Sequence, residues 1–186
     1  MMNAWESERF EWSTIRAAAG RTAERVPDAL ESLRTSTNEH EASEAYWRLD
    51  NFVIIQGSLF DAALPTAACL VTLVGITSGI AREKMIELLE QISSGEAQDG
   101  KKNLKAEISS EICRAFTVYV GLLQYGSDLE RELCLNLIVV CARERYDLRA
   151  QARFYVTRLL EEQNIPQRLR TFAQDSLEQE STLWAT

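Results

Sequence analysis

Apolar side chains return every third or fourth position along almost the whole chain, the spacing that puts them on one side of an α-helix. After Ser78, the residues Ala81, Met85, Leu88, Leu89 and Ile92 share a face. Further on, Ile108, Ile112, Ala115, Phe116, Tyr119 and Leu123 define one long helix that ends at Gly126. Eight Gly and three Pro in 186 residues are fewer than a turn-rich β protein needs. The fold class is therefore all-α, and no strand is expected.

Local signals divide the pattern into elements. Gly20 marks a break, and a helix from about Thr22 to Arg34 follows, with Val26, Ala29, Leu30 and Leu33 on one side and Pro27 tolerated in its first turn. Asn38 with Glu41 resembles a capping box for a helix that should end near Gly57. The next helix runs from Leu59 to Ile76, bent or restarted at Pro65, and another from Ser78 to Ser94. A polar loop at 95–103 precedes the long helix. Ser127 with Glu130 caps the segment from Asp128 to Arg143, which is apolar nearly all round and so central. Helices from Asp147, and from Ile165 to Glu180 with Pro166 at its start, complete the chain.

Grouped in order, these elements form hairpins starting near residues 22, 59, 103 and 147, a period of about 40 that suits two-helix HEAT or armadillo-type repeats. An amphipathic hairpin cannot bury its face alone, so neighbours must stack. The expectation is a single domain over 1–186, with 1–20 as an N-terminal extension: a short α-solenoid of about four HEAT-like hairpins. A compact bundle of irregular hairpins is the alternative. A β-sheet, or a hollow side lined by lysine and arginine, would end the case for this reading.

The helix around AYWRLDNFVIIQGSLFDAA, Ala45 to Ala63, carries two apolar stripes. At about 100° per residue, Ala42, Ala45, Tyr46, Leu49, Phe52 and Val53 share the core arc, and Gln56 falls within it. Nearly opposite stand Ser43, Trp47, Asp50, Asn51 and Ile54. Trp47 and Ile54 either pack against a neighbouring repeat or lie on a binding surface, where a Trp ringed by Asp and Asn is the usual makeup of a protein-binding hot spot. Gln56, if buried, needs hydrogen-bond partners and can tie off the chain near Gly57. Glu83, Glu87 and Glu90 make an acidic stripe opposite the apolar face of their own helix, readable as a solvated face or as a contact for a partner's cations.

Charge narrows the partners. The formal net charge is −8, and residues 1–50 and 51–100 carry −4 each, so the acidity lies in the first hundred residues. Such a field repels nucleic acid and anionic membranes and steers a basic protein, although acidity can also serve solubility alone. The four Cys (Cys69, Cys113, Cys134, Cys141) form no CxxC and sit in apolar runs, as buried thiols do in a reducing compartment. The start, MMNAWESERFE, has no apolar signal segment, and the apolar run from Ala62 to Ile76 is too short to span a bilayer, so a cytoplasmic protein is expected. His40 is the sole histidine, and neither a catalytic triad, a phosphate loop nor a metal-ligand spacing is present; no enzyme activity, cofactor or metal is expected.

The helix also resembles a bacterial HEAT-like repeat family of the form YxRxDNxVxxQGxLFxAA followed by a Pro-led apolar helix. The matching residues are Tyr46, Arg48, Asp50, Asn51, Val53, Gln56, Gly57, Leu59, Phe60, Ala62 and Ala63, with Pro65 leading. The run WSTIRAAAGRTAERVPDALESL, Trp12 to Leu33, is similar to the family's first repeat. The likeness covers roughly residues 10–160. It implies a small cytosolic immunity protein that neutralises a secreted antibacterial toxin, or an adaptor of the same architecture, and it implies no catalytic residue. The expected partner is a basic toxin domain encoded by the adjacent gene. Glu44, Trp47, Asp50, Asn51, Asp61, Glu83 and Glu87 are the candidate partner-binding residues. A DNA glycosylase-like enzyme of HEAT-like form is a third reading, opposed by the negative charge around these residues.

Overall fold

The computed structural model describes residues 5–97, 102–179 and 184. The first four residues of the expected extension at 1–20 lie outside the described residues, as do 98–101 of the polar loop. The chain divides into two compact units, Met1–Ala115 and Phe116–Thr186. Helices dominate both.

In the first unit, α1 (Trp5–Glu8) leads into an irregular stretch held by Trp12, whose buried indole donates to the Ser7 carbonyl at 2.7 Å. Ala19 and Gly20 take left-handed conformations, the break expected at Gly20. Helix α2 (Val26–Thr35) begins later than Thr22. Thr22 instead bridges Arg16 antiparallel, and the Ala23 amide donates to the Ile15 carbonyl, so this backbone is already committed. Pro27 sits in the first turn. Helix α3 (Glu39–Val53) is capped by Asn38, whose side chain accepts from the Glu41 amide at 3.0 Å. The Glu41 carboxylate reaches back to the Thr37 amide rather than to that of Asn38, a capping box displaced by one residue.

Helix α3 stops at Val53, short of Gly57. The reason is a turn. Gln56 and Gly57 have φ of 50° and 79°, the pair of positive angles that a two-residue type I′ hairpin requires. Strands β1 (Ile54–Ile55) and β2 (Ser58–Leu59) pair antiparallel across it, with Ile54 opposite Leu59. Strand β3 (Glu96–Ala97) joins β2 in parallel, and the Glu96 amide donates to the Gly57 carbonyl at 2.7 Å. These three two-residue strands correct the expectation of none. They form a clip between loops, not a layer, and the helical class stands; they do count against plain hairpins stacking without interruption here. Gln56 is exposed at the tip of the turn and is not part of the core.

Helix α4 (Ala63–Val74) is buried on almost every side and takes Pro65 in its first turn without a break. It packs on α5 (Gly79–Ser94) and on α6 (Lys102–Cys113), while α3 packs on both α2 and α5. Leu30, Leu33, Leu49, Leu70, Met85 and Leu89 are wholly enclosed in this unit. Lys105 donates to the Ser93 and Gly95 carbonyls and so closes the C-terminal end of α5.

The long helix expected through Tyr119 is two helices. The amides of Arg114 and Ala115 bond three residues back, to Glu111 and Ile112, which tightens the turn and ends α6. Helix α7 (Phe116–Tyr125) then opens the second unit. Helix α8 (Asp128–Glu144) carries the full Ser127–Glu130 capping box and packs on α7, α9 (Arg149–Glu161) and α10 (Gln167–Gln179), the central place its apolar circumference calls for. A 3-10 turn at Tyr146–Leu148 precedes α9. Arg131 donates to the Leu123 carbonyl at 2.9 Å and Arg170 to the Leu160 and Glu162 carbonyls, so guanidinium groups satisfy the C-terminal ends of α7 and α9. All four cysteines are buried thiols.

The clip closes only because Gly95 has no side chain. A Cβ there would stand 2.8 Å from Leu59 Cγ and 3.0 Å from Ile54 Cδ1. Gly95→Ala is expected to lower stability by about 1–3 kcal/mol, the usual penalty for overpacking, read as a fall in the chemical-denaturation midpoint. An unchanged midpoint would show that the clip is not under this constraint.

Candidate functional site

The clip holds the last turns of α3 and α5 side by side and leaves an open cleft of about 450 Å³ between them. One wall is Trp47, Asp50 and Ile54 of α3 and β1; the other is Glu90, Gln91 and Ser94 of α5, with the Gln56–Gly57 turn and Gly95 at the end. Each wall follows from helical spacing. Trp47, Asp50 and Ile54 repeat at three and four residues, and Glu90 and Ser94 lie four apart on α5.

The two apolar members of the second stripe separate. Ile54 is 6% exposed and packs over Gly95, whereas Trp47 is 58% exposed. The Trp47 ring meets Tyr46 edge to face at 5.2 Å. Tyr46 itself is 2% exposed, and its hydroxyl has no hydrogen-bond partner among the described residues.

Carboxylates crowd this contact. Burial raises the Asp50 pKa above the ordinary value, and the Glu87 charge raises it further. The same two causes, in the same order, raise Glu90. The Tyr46 phenol is also raised, first by burial and then by the charges of Glu87, Asp50 and Glu90. One cation answers them. Lys84 Nζ lies 3.0 Å from Glu87 and 3.6 Å from Glu39, and 5.5 Å from the centre of the Tyr46 ring. Burial disfavours its charge, but the Glu87 hydrogen bond and the charges of Glu87 and Glu39 outweigh that and raise its pKa. No described cation lies within ion-pair distance of Asp50 or Glu90.

Of the seven candidate residues, Trp47 and Asp50 line the cleft, and Glu87 of α5 acts on Asp50 through its charge without lining it. Glu83 shares the stripe of Glu87 one turn earlier and does not line the cleft either. Glu44 is exposed on α3, with an oxygen 3.8 Å from His40. Asn51 donates to the Trp47 carbonyl at 2.7 Å and so serves its own helix. Asp61 lies after the hairpin, 3.9 Å from Arg16, away from the cleft. Sequence reasoning read Glu90 only as part of the acidic stripe, outside the seven candidates, and placed Tyr46 in the core, where the structure has it. The signal for both was adjacency, Tyr46 to Trp47 and Glu90 to Glu87, but only the α3–α5 contact makes it meaningful.

The second unit has a cleft of about 440 Å³ beside the exposed rings of Tyr125 and Phe154. Its acid, Glu162, is already paired with Arg131 at 2.6 Å. Among the described residues, no helix is long and apolar enough to cross a membrane, and no group of three His, Cys, Asp or Glu side chains could hold a metal ion. Comparison of the chain with protein families and with curated proteins finds no match.

Raised carboxylate pKa values have a definite consequence. The folded state binds these protons more tightly than the unfolded chain, so the stability they contribute is full in acid and is lost as pH rises through their folded-state values. At neutral pH Asp50 and Glu90 therefore cost stability. Asp50→Asn with Glu90→Gln is expected to raise the melting temperature by about 2–4 °C near neutral pH, and the gain shrinks toward about pH 4. A double variant less stable than the parent across this range would contradict the account.

Proposed function

We propose that this chain is a protein-binding immunity protein that neutralises a cognate basic toxin domain by covering it, without catalysis. One observation carries the reading: two half-buried carboxylates, Asp50 and Glu90, stand beside an exposed Trp47 with no described cation to match them. A basic partner would supply the missing charge, and the indole would supply the apolar anchor on which interface energy concentrates. The concentration of net charge in the first hundred residues supports the same partner through faster encounter. The reading itself starts from the resemblance of the stretch Tyr46 to Ala63 to a HEAT-like repeat family. Helices that adjoin in sequence pack together within each unit, α2 with α3, α4 with α5, α7 with α8 and α9 with α10, which supports HEAT-like hairpins as the building block. Their stacking into one short α-solenoid and a cytoplasmic location belong to this proposal.

An adaptor or scaffold would use the same cleft in the same way, and only the partner separates the two. A glycosylase-like reading is disfavoured because nucleic-acid phosphates would meet the Asp50–Glu87–Glu90 cluster directly.

The test is rescue from toxicity and co-purification with the product of the neighbouring gene. Trp47→Ala with Glu87→Lys is expected to abolish both, while Trp47→Ala alone shifts stability by no more than about 0.5 kcal/mol because the ring is mostly exposed. Full retention by the double variant would remove these residues from the interface, and no rescue by the parent chain would remove the immunity reading.

A further inference from the structure

We infer that the outer face of α9, with the end of α7, is a second docking surface, and that it takes an acidic segment of a protein partner. A partner carboxylate lies on Arg158, and an apolar side chain beside it enters the cleft that Tyr125 and Phe154 line. The inference stands apart from the immunity reading, since every residue it uses belongs to the second unit.

Arginine supplies every side-chain cation of that unit, because no lysine occurs from Phe116 onward. Most of these guanidinium groups are engaged. Arg131 pairs with Glu162 at 2.6 Å, Arg168 with Glu132 at 2.7 Å and Arg145 with Asp147 at 2.6 Å. Arg149, Arg153 and Arg170 donate to the carbonyls of Ala142, Trp184 and Leu160. Arg158 is exposed and forms no hydrogen bond or ion pair among the described residues. Its planar set of donors is free for a carboxylate, which a guanidinium can hold through two parallel bonds.

Exposed rings flank this arginine. Two clefts of about 440 Å³ lie along α9, and Phe154 and Arg158, four residues apart on one face of the helix, line both of them. Tyr125, the last residue of α7, lines the first cleft and is 87% exposed, and Phe154 is 56% exposed. The Phe154 ring meets Tyr155 edge to face at 5.3 Å, which sets its position before a partner arrives. Large rings left open beside an unpaired arginine have the makeup of an interface centre rather than of a solvated surface.

The partner's charge follows from the helix. From Arg149 to Leu160, α9 carries Arg149, Arg153 and Arg158 and no acid, so an acidic segment complements it and a basic one does not. Single-stranded nucleic acid also suits arginine and aromatic rings, but its phosphates follow one another without a gap. They would meet Glu161, which lines the second cleft. Separate carboxylates on a protein need not.

The probe is a short acetylated and amidated peptide of alternating glutamate and leucine, titrated into the full chain. Binding is followed by nitrogen-edited NMR at the Tyr125, Phe154 and Arg158 amides. Peptides with lysine for glutamate and with serine for leucine, and a short oligothymidylate, are run alongside. Saturable shifts at these amides are expected with the glutamate–leucine peptide, absent with lysine and about tenfold weaker with serine. Arg158→Glu weakens binding by about tenfold or more, and Phe154→Ala by a similar factor. Both positions are exposed, so the melting temperature should hold; where Arg158→Glu melts early, Arg158→Gln takes its place. Arg25→Glu, the same charge change in the first unit, leaves binding as it was. No saturable shift, equal binding of the lysine peptide, full binding by the Arg158→Glu, Phe154→Ala double variant, or an equal loss in Arg25→Glu would overturn the inference. Tighter binding of the oligothymidylate than of the peptide would also overturn it, in favour of nucleic acid.

Discussion

The short ladder at the end of α3 ties together the ends of the two helices that frame the cleft. Six residues make two antiparallel strands and a third, parallel one, and so join the C-terminal ends of α3 and α5, which also pack directly on each other. An isolated ladder of two-residue strands would not persist in water. Here Ile54 and Leu59 are buried against Gly95, and Lys105 satisfies the carbonyls that emerge from α5. Side-chain burial stabilises the strands, and the strands fix the distance between two helices.

That fixed distance explains the electrostatics. Two helices with acidic stripes would drift apart if only their surfaces met, since like charges repel and water screens them better at a distance. The clip and the core beneath, with Leu49, Leu88 and Ile92 wholly enclosed, oppose that drift. Lys84 relieves part of the repulsion by joining Glu87 to Glu39 across the same pair of helices. What remains is held in place by hydrophobic burial, and it sits beside the one large aromatic ring of α3 that the fold does not cover. Local cost maintained by the rest of a fold is the pattern expected where a site is shaped for something else.

Much of the helical order was legible because the signals were local. The 3–4 spacing of Ala81, Met85, Leu88, Leu89 and Ile92, the caps at Asn38 and Ser127, and the break at Gly20 each act within a few residues of themselves. The errors were also physical. Gln56–Gly57 is a weak form of the Asn-Gly signal for a type I′ turn, and helical spacing continued through it, so the hairpin was hidden behind an extended α3. The break at Arg114–Ala115 has neither Gly nor Pro, and the apolar stripe runs on across it. Half of the candidate site could be found in the same way: Trp47 and Asp50 from their helix, Glu87 from its stripe. That the two stripes face each other is a tertiary fact. Glu90 and Tyr46 acquire meaning only through it, while Glu44, Asn51 and Asp61 looked equivalent in sequence and point elsewhere.

The acidic residues therefore fall into two groups that act over different ranges. Glu44 is exposed, and its influence on an approaching partner fades beyond about 8 Å at physiological salt. On the proposed reading, it and its kind would contribute to the rate of encounter and little to the identity of what binds. Asp50 and Glu90 are partly desolvated, so salt screens them less, and an occupant must replace water that the helices already restrict. On the proposed immunity reading, the field of the first hundred residues would draw a basic partner close, and the place where α3 and α5 are pinned together would hold it.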